Sequence, residues 1–166
     1  RAAALERLAD EVDSYYTDRG PADRGPRALR QARAISIKAG VAQRRGEDDI
    51  ADARWQDVLT LLPSEANVDA GLGSAFRLRA SAESSRALLL AKRGELDAAV
   101  EAARTSVAHA QRQASPQSPE SILGLSLVRS RLMMILEYAG READAAEVAN
   151  EPTLCLLQRE SAIATT

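Results

Sequence analysis

The chain has 166 residues, of which 45% are hydrophobic and 28% are charged, so it can bury an apolar core of ordinary size. Aromatic residues make up only 3%. Alanine and leucine must therefore supply the core, and side chains this small favour packed helices over a sheet. A net charge of −2 favours neither a nucleic-acid nor a membrane partner. The single cysteine, Cys155, excludes an intrachain disulfide and a cysteine-cluster metal site.

Hydrophobic periodicity divides the chain into helices separated by linkers rich in glycine, proline and serine. The linkers are "GPADRGP" from Gly20, "LPSEANVDAGLGS" from Leu62 and "SPQSPE" from Ser115. Between linkers, apolar residues recur at steps of three and four, as Leu132 and Leu136 do, which is one face of a helix. In chain order, the predicted helices cover 2–17, 26–45, 47–61, 75–93, 95–113, 119–139, 141–150 and 153–163.

Three of these helices end at a glycine with the same surroundings. Gly46, Gly94 and Gly140 are 48 and 46 residues apart. Each should end one helix and turn the chain into the next, because glycine readily adopts positive φ. Self-similarity at this period predicts stacked helix pairs, each too small to bury its own apolar face. An alanine follows each glycine after five residues, and the three alanines are Ala51, Ala99 and Ala145.

This pattern resembles the tetratricopeptide repeat, a helix-turn-helix unit that stacks into a solenoid. Besides the turn glycines and alanines, the resemblance rests on the small residues Ala39 and Ala87, on Trp55 and on Pro63. It implies an all-α fold, a right-handed solenoid of about seven to eight helices. The period exceeds the family's usual length of about 34 residues, and is more similar to the extended repeats of bacterial regulatory proteins.

The resemblance also implies how the chain is divided, with all parts in one domain. An N-terminal helix over 1–19 is either the second helix of a truncated repeat or a cap. Repeats follow over 26–63, 75–114 and 119–150, the third being degenerate. A capping helix or tail over 152–166 completes the chain.

Repeats of this family are known for binding proteins and peptides, not for catalysis. The resemblance therefore implies a non-enzymatic, cytoplasmic scaffold without a cofactor, part of a larger bacterial regulatory or signalling protein. The alternative is the ligand-sensing arm of a transcriptional regulator, with a small molecule or signalling peptide in its concave groove. Exposed ends of the solenoid would also allow homo-oligomers. No nucleic-acid partner is expected, because five aromatic residues and a negative net charge offer little for RNA.

A serine stands ten residues before each turn glycine, and the resemblance implies that this column of the first helix faces the groove. Neighbouring columns, thirteen, six and two residues before the glycine, supply cations and apolar side chains. Such a groove would accept a partner peptide that is acidic or ends in a C-terminal carboxylate. Alternatively, serine only keeps this side small and polar. The predicted groove residues are Arg33, Ser36, Arg44, Ser81, Ser84, Leu88, Lys92, Ser130, Arg131 and Met134.

The sequence predicts no catalytic or metal site. His109 is the only histidine, and we expect it to be solvated near the end of a helix. Cys155 is flanked by leucines, which predicts a buried, inert thiol, because reactive cysteines need electropositive and partly exposed surroundings. The glycine pair in "GLGS" from Gly71 lacks the preceding strand and following lysine of a phosphate-binding loop.

Overall fold

A computed structural model describes residues 24–62, 73–115 and 118–151, together with Ala4, Arg7, Asp10, Glu11 and Ser14. This part of the chain forms helices and no strand, which confirms the predicted all-α class. Within the described ranges six helices have defined bounds, against the predicted seven or eight. The predicted helix 153–163 lies outside the described residues, and of 2–17 only the five residues above are described, all helical. The six are α1 (Arg24–Arg45), α2 (Asp48–Leu61), α3 (Gly73–Lys92), α4 (Leu96–Gln113), α5 (Pro119–Tyr138) and α6 (Glu142–Asn150).

The chain divides into two units, residues 1–85 and 86–166, and the boundary falls inside α3. In the first unit, α1 packs against α2. Arg79, on the first half of α3, donates to the carbonyl oxygens of Leu59 and Leu62 at 3.4 and 3.2 Å. These carbonyls lie at the C-terminal end of α2, where no further turn of helix can satisfy them. Arg79 therefore ties α3 to the end of α2.

In the second unit, α5 packs against both α4 and α6. Its buried side is made of large apolar residues, among them Leu125, Ile135 and Leu136, each at most 1% exposed. Pro119 stands in the first turn, and the Ser118 side chain accepts a hydrogen bond from the Ser121 amide, so the helix begins with a serine cap. The second unit is thus built around α5. That the two units make one domain stays a prediction.

The three predicted turns are present and share one geometry. Gly46, Gly94 and Gly140 have φ of 77°, 80° and 71°. Each glycine amide donates to the carbonyl three residues earlier, and the following amide donates to the carbonyl five residues before it. This is the Schellman motif, which needs a left-handed residue at the helix end. The longer bonds are Glu47 to Ala42, Glu95 to Leu90 and Arg141 to Leu136, at 3.0, 3.0 and 2.8 Å.

The second helix of each pair also begins in the same way. The residue after each glycine is the N-cap, with φ and ψ of −84° and 63°, −80° and 62°, and −98° and 54°. Its carbonyl accepts the amide of Ala51, Ala99 or Ala145 at 2.9, 2.9 and 3.1 Å. These alanines are 0%, 0% and 4% exposed, as expected for close helix packing. The periodicity in the sequence therefore corresponds to three connectors of the same conformation.

Candidate functional site

Helices α1, α3 and α5, each of which ends at a turn glycine, expose the same columns. The residue four before the turn glycine, Ala42, Leu90 or Leu136, is buried in all three. The residues thirteen and two before the glycine are exposed in all three. Both exposed columns are among those that the resemblance assigns to the groove. Their members are Arg33, Ser81 and Leu127, then Arg44, Lys92 and Tyr138.

The serine column is not a uniform row of open hydroxyls. Ser84 is only 1% exposed, so a ligand cannot reach it in this conformation. The half-buried Ser36 donates to the carbonyl of Arg33 at 2.7 Å, and the exposed Ser130 donates to that of Ser126 at 2.9 Å. Serine in a helix commonly bonds to a carbonyl one turn back. Ser36 and Ser130 thus direct their protons into their own helices.

The exposed side of α1 is basic with a small centre, and we call Arg33, Ile37, Gly40 and Arg44 the α1 face. Arg33 and Arg44 are exposed, Ile37 is 39% exposed, and Gly40 is half-buried. Steps of four, three and four residues place all four on one side of the helix. Lys38, the lysine of α1, is mostly buried and pairs with Asp10 at 2.8 Å.

The exposed side of α5 is apolar, and we call Leu123, Leu127, Met134 and Tyr138 the α5 stripe. These side chains are 72%, 53%, 50% and 70% exposed. Their spacing of four, seven and four residues forms one continuous ridge. Met134 was in the predicted groove, and Leu127 and Tyr138 stand in predicted groove columns. Leu123 was missed, although its place one turn before Leu127 was a signal that could have found it.

The predicted groove residues fall into two sets. The first unit holds Arg33, Ser36 and Arg44 on α1, with Ser81 and Ser84 on α3. The second unit holds Leu88, half-buried, and Lys92, exposed, on α3. It also brings Ser130, Arg131 and Met134 together on one stretch of α5, where Arg131 is half-buried beside the stripe. A single groove that contains all ten residues stays a prediction.

A cavity of about 400 Å³ opens on the third repeat, between α5 and α6. The corresponding positions of α4 include Val100 and Ala103, which are buried in the unit where α4 packs against α5. The cavity thus lies on the side of α6 that corresponds to the buried side of α4. The predicted cap over 152–166 lies outside the described residues. The lining residues are Met133, Glu137, Glu142, Ala145, Ala146 and Ala149.

The expectation of a solvated His109 is wrong, because the side chain is only 4% exposed. The buried side of α4 continues into its last turns, where Ser106 and Ala110 are also buried. Cys155 lies outside the described residues. Within the described part of the chain, no three histidine, cysteine or acidic side chains come together as a metal site would require. No helix there has the length and apolar character to cross a membrane.

Comparisons with family models, curated proteins and solved structures find no match to this chain. The likeness to the tetratricopeptide repeat therefore rests on the residues and on the repeated turn geometry. The chemistry of a site must be inferred from the two exposed helix faces.

Proposed function

We propose that this chain is a non-enzymatic scaffold whose tetratricopeptide-like hairpins stack into a solenoid and bind partner proteins through the exposed faces of the first helices. The observation that carries the proposal is the α5 stripe, four large apolar side chains at least half exposed on a helix whose other side is buried. Single exposed apolar residues are ordinary, but contiguous ones mark interaction sites. The shared turn geometry supports stacking, because identical connectors produce similar hairpins.

The stripe favours an amphipathic helix of a partner protein. Leu123 and Tyr138 are 15 residues apart, a length of about 22 Å, which a partner helix of four turns would match. Ser130 lies midway along the stripe, and its small side chain leaves room for the close approach that helix packing needs. Apolar anchors spaced by three or four residues are the usual contacts of a helix in such a site.

Charges on the two sides of the stripe would orient that partner helix. Arg131 and Glu137 lie at opposite edges of the ridge, since they are about 120° apart around a helix. A partner with an acidic flank toward Arg131 and a basic flank toward Glu137 would fit in one direction. Charges at the rim of an interface contribute more to orientation and specificity than to affinity.

The proposal is tested by charge substitution on the stripe. We expect the tagged Leu127→Glu and Met134→Glu proteins to lose at least tenfold of the partner signal in quantitative affinity capture, because burying a carboxylate at an apolar contact is unfavourable. The matched control is Ala108→Glu, since Ala108 is exposed on the second helix α4. Equal capture by the Leu127→Glu protein and the parent would reject the α5 stripe as a binding surface.

A further inference from the structure

Helix α1 is strongly basic, although the whole chain has a small negative net charge. It contains six arginines, one lysine and no acidic residue, whereas the 166 residues together have a net charge of −2. Arg33 and Arg44 are exposed, and neither guanidinium pairs with a carboxylate within the described parts of the chain. A guanidinium presents its donors as a fork that matches a carboxylate, so the α1 face offers two binding points for acidic groups.

Gly40 lies between these two arginines, and nothing in the described structure requires a glycine there. Its φ is not in the left-handed region, which among the described residues only Gly46, Gly94 and Gly140 occupy. A Cβ atom at Gly40 would meet no other atom within 4 Å, so packing does not require glycine either. Glycine in the middle of a helix is unfavourable relative to alanine. A further reason for glycine is that the missing side chain lets another backbone approach the helix closely.

The spacing of the arginines gives the dimensions of that second backbone. Arg33 and Arg44 are 11 residues apart, about 16 Å along the helix axis. An extended chain rises about 3.3 Å per residue and its side chains alternate between two faces, so two residues on the same face are an even number of positions apart. Carboxylates at positions i and i+4 lie on one face of an extended segment, about 13 Å apart. They would meet the two guanidinium groups, whose long side chains span the remaining distance, and the segment between them would cross Gly40 beside the half-exposed Ile37.

We infer that the α1 face binds an extended acidic segment of a partner protein, with two carboxylates four residues apart on Arg33 and Arg44 and the intervening backbone over Gly40. The inference rests on the proposed scaffold function and names the chemistry of one partner. Single-stranded nucleic acid fits less well, because its bases stack on aromatic side chains and the α1 face has none.

The probe is a capped decapeptide of serine and alanine with glutamates at its third and seventh positions. Two control peptides carry adjacent glutamates, which keep the charge but change the spacing, or glutamines in place of both. Binding is measured by titration at low ionic strength, with the Gly40 amide followed in ¹⁵N-resolved NMR spectra. We expect the spaced peptide to shift this amide most, the adjacent isomer to bind several times more weakly, and the glutamine peptide not to bind.

Substitutions on the α1 face then separate a binding role from a structural one. We expect Arg33→Ala and Arg44→Ala each to weaken binding about three- to tenfold, because the forks are charged but open to water. Gly40→Leu should weaken binding at least as much while raising Tm, since leucine favours the helix. The matched control is Gly124→Leu on α5, another helical glycine with open space around it, which should not weaken binding.

The inference is overturned if the parent protein does not bind the spaced peptide, if the adjacent isomer binds equally well, or if Gly40→Leu binds like the parent. None of these outcomes would touch the proposed scaffold function, which is tested separately by capture through the α5 stripe. Equal capture by the Leu127→Glu protein and the parent, with intact peptide binding to α1, would instead reject the proposed contact on α5 alone.

Discussion

Helices α1 and α5 both end at a turn glycine of the same geometry but present different chemistry to solvent. Their buried columns are alike, with Ala42 and Leu136 at the position four before the glycine. Their exposed columns differ, because an arginine on α1 corresponds to Leu127 on α5, and Arg44 corresponds to Tyr138. The comparison teaches that the turn and the buried columns determine the hairpin, while the exposed columns can change their chemistry without changing it.

The largest expected effect contrasts a buried column with an exposed one on the same helix. Leu136→Ala should lower the free energy of unfolding by about 2–5 kcal/mol, because it leaves a cavity in the core of the second unit. Leu127→Ala, on the exposed side, should change it by no more than about 0.5 kcal/mol. Chemical denaturation of both variants measures the difference. Similar losses in the two variants would contradict the assignment of the two faces.

The next effect concerns the alanine after the turn. Ala99 is 0% exposed, and Ala99→Leu should cost about 1–3 kcal/mol of unfolding free energy because it overpacks the helix crossing. The control is Ala98→Leu, one position away on the exposed side of α4, which should be nearly neutral. Thermal unfolding followed by circular dichroism compares the two. An Ala99→Leu protein that melts like the parent would show that this crossing is loosely packed.

Two glycines should respond with opposite signs to the same substitution. Gly94→Ala should destabilise the protein by about 1–2 kcal/mol, because its φ of 80° places an alanine Cβ against the following carbonyl. Gly40→Ala should stabilise it by about 0.5–1 kcal/mol, because Gly40 is an ordinary helical residue in open space. Denaturation midpoints decide the signs, and a loss of stability in both variants would mean that Gly40 has a structural role.

The smallest effect on stability is expected from exchanging the exposed chemistry. The double variant Arg33→Leu, Arg44→Tyr places on α1 the side chains that α5 has in the same columns. Stability should change by no more than about 0.5 kcal/mol, since both sites are exposed. Binding of the acidic decapeptide, and its weakening by added salt, should both disappear. Retained peptide binding would place the acidic contact away from the α1 face.

The sequence predicted the helices and the turns between them well because their signals are local. The turn glycines and the buried alanines are where the periodicity placed them, and the described helices begin and end within two residues of the predicted bounds. The prediction of a solvated His109 was wrong because periodicity along one helix does not show how much of that helix the next one covers. Arg33 and Arg44 of the α1 face were among the predicted groove residues, although the net charge of the whole chain does not indicate a basic helix.

The exposed serines show a second limit of the sequence. A column of serines indicates small polar positions, but it does not show whether each hydroxyl is open to a ligand. That depends on local bonding, as at Ser130, and on burial by neighbouring helices, as at Ser84. The sequence therefore predicts which columns face outward more reliably than which atoms are available there.

The most direct test of the central claim is a photo-cross-linker scan of exposed positions in cells. A cross-linking residue is placed at Arg33 or Leu127 on first helices, and at Ala53 or Ala108 on second helices, all four of which are exposed. Discrete protein adducts are quantified for each position. We predict strong adducts from Arg33 and Leu127, with different partners or partner segments, and weak ones from Ala53 and Ala108. Adducts concentrated at Ala53 and Ala108 would contradict the account and place the binding surface on the second helices.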